Sequence, residues 1–582
     1  MDSAKRVNSK VTMSLSIARE YMIDVLVVGA GGAGLRAAIE IAQEGVSVLV
    51  VSKELLGAAH TCMAEGGLNV ALTEVNPANH PEIHLQDTLA GGAYLNRGSL
   101  AHAMAYEAPD RVHDLERFGV IFDRDDHGHI AQRFSGKQTH PHTVFVGDYT
   151  GQAIMAALVE QARRLQIGVW SEHFVSTLFK TNGIASGALV IDQHSGELTL
   201  VRARAVILCT GGGGRMYSVT TNAASNTADG YALALQIGAE LVDMEMIQFH
   251  PTGMILPSAM RGKLVTESVR GEGGRLFNRD GERFMERYNP QRLELAGRDE
   301  VARAIFSEVQ AGRGTDQGGV YLSVAHLPAE LIEQRLPTML TQFLAAGVDI
   351  RKAPMQIHPS MHHMMGGIRI DEWGACNVPG LFAAGEVTGG DHGGNRLGGN
   401  ALASCQVMGK RAAISAAKFA AERLDLPAID LAQVKRALEI LDQYLQKADS
   451  PNSGEWPDTA HGVLGQLQTT MWQKVGIMRT ESELLAAKEM LDYLNWVSHD
   501  ELCAASSDPR FNRSWIDCLE LRNMVITAQV VVYAALLRQD SRGAHFRRDF
   551  PHAMPDWERR NIVVRHDQQG DLVHEIINQS EL

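Results

Sequence analysis

Apolar positions form short continuous runs near the start of the chain and helical stripes towards its end. Val25-Leu26-Val27-Val28 is an unbroken apolar run that meets Gly29-Ala30-Gly31-Gly32-Ala33-Gly34 and then Leu35-Arg36-Ala37-Ala38-Ile39-Glu40-Ile41-Ala42. This pattern predicts a buried strand, a glycine turn and a helix, and Gly45 to Val51 adds a second buried strand at βαβ spacing. Gln152 to Arg164 reads as a helix, Val169 to Val206 as β-rich, and Leu208 as a strand end feeding a second glycine turn, Gly211 to Gly214. Gly380 to Ala384 predicts a further strand. From Lys410 the pattern becomes helical, with stripes at Leu431, Val434, Leu438, Leu441, Leu445 and at Leu484, Ala487, Leu491, Leu494. Met524 to Leu537 reads as a buried helix, too short to span a bilayer.

The first turn has the chemistry of a dinucleotide site. In Gly29-x-Gly31-x-x-Gly34, Gly29 allows the bend, Gly31 lets backbone approach a pyrophosphate, and Gly34 lets the helix lie close on the strand, its N-terminus facing the phosphates. An NAD site expects an acid after the second strand, and Ser52-Lys53 stands there instead, which argues against a nicotinamide. The 582 residues suffice for several domains. A net charge of -14 without a long basic run argues against nucleic acid as a partner. The six cysteines form no C-x-x-C pair, which points to a reducing compartment and against an iron-sulfur cluster or any structural metal in the chain. Residues 1–20 lack a secretory h-region and are expected to be a flexible tail.

Several segments resemble the flavoprotein subunit of the fumarate reductase and succinate dehydrogenase family. They are Ser52-Lys53, His60-Thr61 and Ala64-Glu65-Gly66-Gly67; Asp87 to Gly92; Gly147-Asp148-x-Thr150-Gly151; and Asn226-Thr227-Ala228-Asp229-Gly230. Gln248-Phe249-His250-Pro251-Thr252-Gly253, Thr266-Glu267-Ser268-Val269-Arg270-Gly271 and Gly297-Arg298-Asp299-Glu300-Val301 follow in family order. The most specific mark is His392-Gly393-Gly394-Asn395-Arg396-Leu397-Gly398-Gly399-Asn400-Ala401-Leu402. The Arg-Ser that often precedes the family histidine is Ala58-Ala59 here.

The resemblance implies an α/β fold: a Rossmann-like FAD-binding domain at 21–245 and 356–412, an inserted α+β capping domain at 246–355, a helical bundle domain at 413–540 and a C-terminal segment at 541–582. It implies FAD held by Gly29, Gly31, Gly32, Gly34, Ser52, Lys53, Thr61, Gly66, Gly67, Asp229, Glu386, Asn400, Ala401 and Leu402, and joined covalently to His60. The implied reaction interconverts succinate and fumarate, with His250, Thr252, His362 and Arg396 on the C4 dicarboxylate. Arg298 is the implied proton donor and acceptor, resupplied by Glu267 and Arg270. The implied partner is an iron-sulfur subunit, itself tied to a membrane anchor or another redox partner, which would keep this chain peripheral on the cytoplasmic face.

Two other readings compete. L-aspartate oxidase, a relative, holds FAD without a covalent bond and works alone; His60-Thr61 and Met365-Gly366-Gly367 favour the dicarboxylate enzyme. A non-catalytic FAD-binding subunit is disfavoured by the joint presence of Arg298, Arg396, His250, Thr252, His362 and Glu267. Direction and redox partner (quinone, thiol pair or cytochrome) stay open.

Overall fold

The computed structural model describes residues 15–423, 425–449 and 459–581. Its central sheet is built from β1 (Ile17–Val28), β2 (Val48–Val51), β3 (Gly168–Trp170), β4 (His173–Thr181), β5 (Ile184–Asp192) and β6 (Leu198–Leu208), in the order β3-β2-β1-β6-β5-β4. Strands β1, β2, β3 and β6 run parallel, with Val28 beside both Val51 and Leu208, while β4 and β5 form an antiparallel extension. The far end of β6 also pairs with Leu381–Ala383, so the chain returns to this sheet after a long excursion. Val25, Leu26 and Val27 are completely buried, as expected of a parallel strand covered on both faces.

β1 corrects the expected tail. Residues 17–20 are strand, because Arg19 and Glu20 pair with Thr199 and Leu200; the rest of that tail through residue 14 lies outside the described residues. Helix α1 (Gly32–Gln43) starts at the glycine turn and lies against α3 (Asn400–Ala421), where Gly409 is needed: a Cβ there would stand 2.8 Å from the Ala33 oxygen.

A second antiparallel sheet carries the site. It orders β7 (Ile247–Met254), β8 (Met355–Met364), Val320–Ser323 and Arg275–Phe277, and with α2 (Arg298–Gln310) it encloses its own apolar core around Val265, Leu276, Phe284 and Ile305. Helices Leu431–Gln446, Ala460–Lys474, Glu481–Trp496 and α4 (Arg513–Leu537) follow. Leu484, Ala487, Leu491 and Leu494 are fully buried, whereas Leu431 begins its helix in solvent. α4 starts eleven residues before the apolar run that announced it. At 25 residues it is long and apolar enough to cross a membrane, yet 72% of its most apolar window is buried inside the protein, which makes it a core helix. The chain ends in a hairpin, Arg560–His566 with Leu572–Asn578, joined to Leu241–Val242.

Candidate active site

A cavity of about 1090 Å³ runs from the first glycine turn to residues of β7, β8 and α2. Its floor is made by the absence of side chains. Gly29 sits at φ 108°, and a Cβ there would stand 2.3 Å from the Cys209 oxygen; one on Gly34 would stand 1.9 Å from the Gly29 oxygen. Gly34 therefore serves helix contact and lies behind the cavity, whereas Gly29, Gly31 and Gly32 line it. The Gly32 N–H donates to Thr61 Oγ1 at 3.1 Å, tying the next loop to the α1 N-terminus. Backbone N–H groups at that helix start suit a pyrophosphate.

Ser52, Lys53, His60, Gly66, Gly67, Asp229, Glu386, Ala401 and Leu402 also line the cavity. Lys53 Nζ donates to Thr227 Oγ1, to Asp229 Oδ2 at 2.7 Å and to Glu520 Oε1 at 2.8 Å. Burial alone would lower the Lys53 ammonium; the two carboxylates outweigh it and raise it. His60 Nδ1 accepts from the Ala223 N–H at 3.3 Å, and burial, with Arg396 nearby, pushes its imidazole down to about 4. Asn400 departs from expectation. Its side chain turns into a separate buried network, with Oδ1 accepting from Asn69 at 2.7 Å and Nδ2 donating to Thr88 at 2.9 Å, so only its neighbours face the cavity.

At the other end of the cavity stand His250, Glu267, Arg298, His362 and Arg396. Arg298 donates to Glu267 through Nε and Nη2 and to Gln248 Oε1 through Nη1 at 3.1 Å. Behind Glu267, Arg270 Nη2 lies 3.4 Å from Oε1, while Nη1 donates to the Glu294 oxygen at 2.6 Å. Burial would raise the Glu267 carboxyl, but Arg298 and Arg270 hold it well below the usual range. Arg396 donates to Gln248 at 3.2 Å, and its buried Nε has no partner among the described residues. Burial, then repulsion from Arg298, lowers Arg396 to about 9. His250 and His362, rings 5.2 Å apart, are held well below the ordinary imidazole range by burial and the nearby guanidiniums, so both are neutral.

Thr252 corrects the expected substrate set. Its hydroxyl donates to the Val265 oxygen at 2.7 Å and lies 3.3 Å from His250 Nδ1, so it steadies that ring and does not line the cavity. Thr266, next to Glu267, does line it. Sequence reasoning also passed over Gln248 and Glu65. Glu65 faces the cavity, and burial, with Asp148 nearby, pushes its carboxyl up to about 8. The signal for both was their place inside the family-like motifs.

The residues fit a dinucleotide flavin: a glycine cradle that side chains would fill, a helix start, and buried polar groups facing one long cavity. A family model described as FAD binding domain matches residues 24–402, and one described as fumarate reductase flavoprotein C-term matches 465–579. The chain is 45% identical to a fumarate reductase (CoM/CoB) subunit of Methanothermobacter marburgensis over 94% of this chain and 97% of that one. It is 36% identical to the succinate dehydrogenase flavoprotein subunit of Rickettsia bellii, over 95% and 94%. Among solved structures, Mycobacterium smegmatis Sdh1 superposes with a TM-score of 0.86 at 41% identity, covering 96% of this chain and 94% of that one. E. coli quinol fumarate reductase superposes with a TM-score of 0.90 at 30% identity, over 97% of each. This chain belongs to the family of fumarate reductase and succinate dehydrogenase flavoprotein subunits, which bind FAD.

Proposed function

We propose that this chain is the flavoprotein subunit of an enzyme that interconverts succinate and fumarate, with FAD covalently attached to His60 and electrons exchanged with a separate iron-sulfur subunit. One observation carries the reading. Two guanidiniums, Arg298 and Arg396, share Gln248 Oε1 at one end of the cavity; the first is also paired with a carboxylate, and the second keeps a buried Nε unpartnered among the described residues.

A C4 dicarboxylate reacts only when both ends are fixed. Arg396 takes one carboxylate as a planar fork, its open Nε being the donor that lacks an acceptor. His250 and His362, both neutral, take the other end by hydrogen bonding, with Thr266 beside them. Bound FAD supplies the two-electron acceptor or donor for the C–H bond. Arg298 exchanges the proton at the neighbouring carbon. A guanidinium is a poor acid in water, and here its proton is replaced from behind. Arg298 is the larger of the two cations that hold the Glu267 carboxyl low, Arg270 being the other. Once Arg298 gives its proton away the larger attraction vanishes, burial raises Glu267, and the carboxylate can take a proton from the Arg270 side and return it. Closure of the capping unit excludes water from this exchange.

His60 suits a covalent link: the Ala223 N–H occupies Nδ1 and leaves Nε2 as the nitrogen able to bond to flavin carbon. The partner would hold the chain on the cytoplasmic face of a membrane through further subunits. The test is to purify the native assembly, identify co-purifying subunits, and assay succinate oxidation and fumarate reduction with quinone, dye and thiol-pair partners. Flavin-loaded protein inactive in both directions, or a lone chain oxidising aspartate with oxygen, overturns the proposal.

A further inference from the structure

Gln248 lies on β7, two residues before His250, and its amide is where the two arginines meet. Oε1 accepts from Arg298 Nη1 at 3.1 Å and from Arg396 Nη2 at 3.2 Å; Nε2 donates to Asn395 Oδ1 at 2.6 Å and to the Arg396 carbonyl oxygen at 2.8 Å. These partners fix the amide orientation, because guanidiniums only donate and the two groups opposite Nε2 are oxygens. Asn395 Nδ2 donates in turn to Asp299 Oδ1 at 2.9 Å, and Asp299 follows Arg298 in the first turn of α2. The hydrogen bonds close a circuit from Arg298 through Gln248 and Asn395 to Asp299, and back through one peptide unit. Asp299 is anchored within the circuit by Arg303 at 3.0 Å and Lys137 at 3.4 Å.

The circuit crosses between structural units. Arg298 and Asp299 stand on the helix beside the second sheet, Asn395 and Arg396 on the loop leading into α3, and Gln248 on the strand that leads from one unit to the other. An amide suits this junction better than a carboxylate. Two like charges sharing an acceptor are held against their repulsion, yet no negative charge is added to neutralise the guanidiniums that the substrate's own carboxylate needs. Gln248 is 1% exposed, so bulk water cannot replace its side chain.

We propose that Gln248 is a positioning residue that sets the spacing of Arg298 and Arg396 and, through Asn395 and Asp299, latches α2 over the bound dicarboxylate. The inference rests on the dicarboxylate reading, and its test separates the two. Malonate, an unreactive dicarboxylate, is titrated against the flavin absorbance of the purified holoprotein, and kcat and KM for fumarate are measured alongside. Gln248→Glu, nearly isosteric, inserts a competing carboxylate and raises the malonate Kd by about tenfold or more. Gln248→Leu keeps both charges but frees them and also releases the latch, lowering kcat by about tenfold or more while the malonate Kd rises only several-fold, as in the Asn395 variant. Asn395→Leu breaks only the latch and raises KM several-fold with a smaller effect on kcat. A Leu variant turning over within about twofold of wild type, or a Glu variant with wild-type malonate affinity, overturns the inference. If the Leu variant fails to fold or to keep flavin, the Glu variant decides. Wild-type protein that does not bind malonate overturns the dicarboxylate reading, and the latch with it.

Discussion

Arg298 donates two hydrogen bonds to a single oxygen of Glu267, from Nε at 3.0 Å and from Nη2 at 2.6 Å. The guanidinium is thereby fixed in plane, leaving its Nη1 edge for Gln248 and the cavity. A lysine keeps the charge but is a single point donor, unable to hold Glu267 and Gln248 in the same geometry. Arg298→Lys is expected to keep fold and flavin and to lose turnover by about a thousandfold, on the order of 4 kcal/mol of transition-state stabilisation. Steady-state succinate and fumarate assays on flavin-matched protein check this; near-normal turnover refutes the shuttle.

Glu386 lines the cavity, and burial pushes its carboxyl from 4.5 up to about 7. A carboxyl raised in the folded state binds more protons there than in the unfolded chain between those values. Its contribution to stability is fully present below 4.5 and is lost as pH rises through 7. The flavin-free chain is therefore expected to lose about 3 kcal/mol across this window from Glu386, and Glu386→Gln to flatten that part of the profile. Denaturant midpoints at a series of pH values measure it, and equal slopes in the two proteins reject it.

The strand, turn and helix at Val25 to Ala42 were legible because their causes are local: Gly29 needs its positive φ and Gly34 its close approach whatever the distant chain does. Thr252 shows where legibility ends. His250 and Thr252 are two apart on a strand and should share a face, but the register with β8 slips between His250 and Gly253, and the Thr252 hydroxyl turns to Val265. Pro251 marks a place where a strand can bulge, but it does not say which side chain turns away. The hairpin at the chain's end was equally opaque, since its partner, Leu241–Val242, lies more than three hundred positions earlier. Gln248 was visible inside its motif, but its meaning depends on Arg298 and Arg396, which only folding brings to the same oxygen.

Glu520 ties the helical region to the nucleotide end of the cavity. It projects from α4, is 3% exposed in its side chain, and accepts from Lys53 Nζ, which also holds Asp229. Lys53 keeps Asp229 when Glu520 is neutralised, so the loss stays below the ~3–5 kcal/mol typical of a broken buried ion pair. Glu520→Gln retains shape and one acceptor oxygen, so about 2–3 kcal/mol is expected, together with weaker flavin retention because Lys53 and Asp229 lose their fixed arrangement. Thermal unfolding and flavin content after dialysis report the two effects. Unchanged values for both would mean that Lys53 is held without Glu520.

His60 offers the most direct test of cofactor attachment. With Nδ1 occupied by the Ala223 N–H, a bond to flavin can form only at Nε2. Wild-type protein is therefore expected to keep its flavin fluorescence on a denaturing gel, and His60→Ser to lose it. The variant should still bind flavin without a covalent bond, because the glycine turn, the Lys53–Asp229 pair and Glu386 line the same cavity independently of His60. Absorbance of the native variant near one flavin per chain, with none left after denaturation, is the expected pair of results. A wild-type chain that releases all its flavin on denaturation would show instead that the cradle alone retains the cofactor.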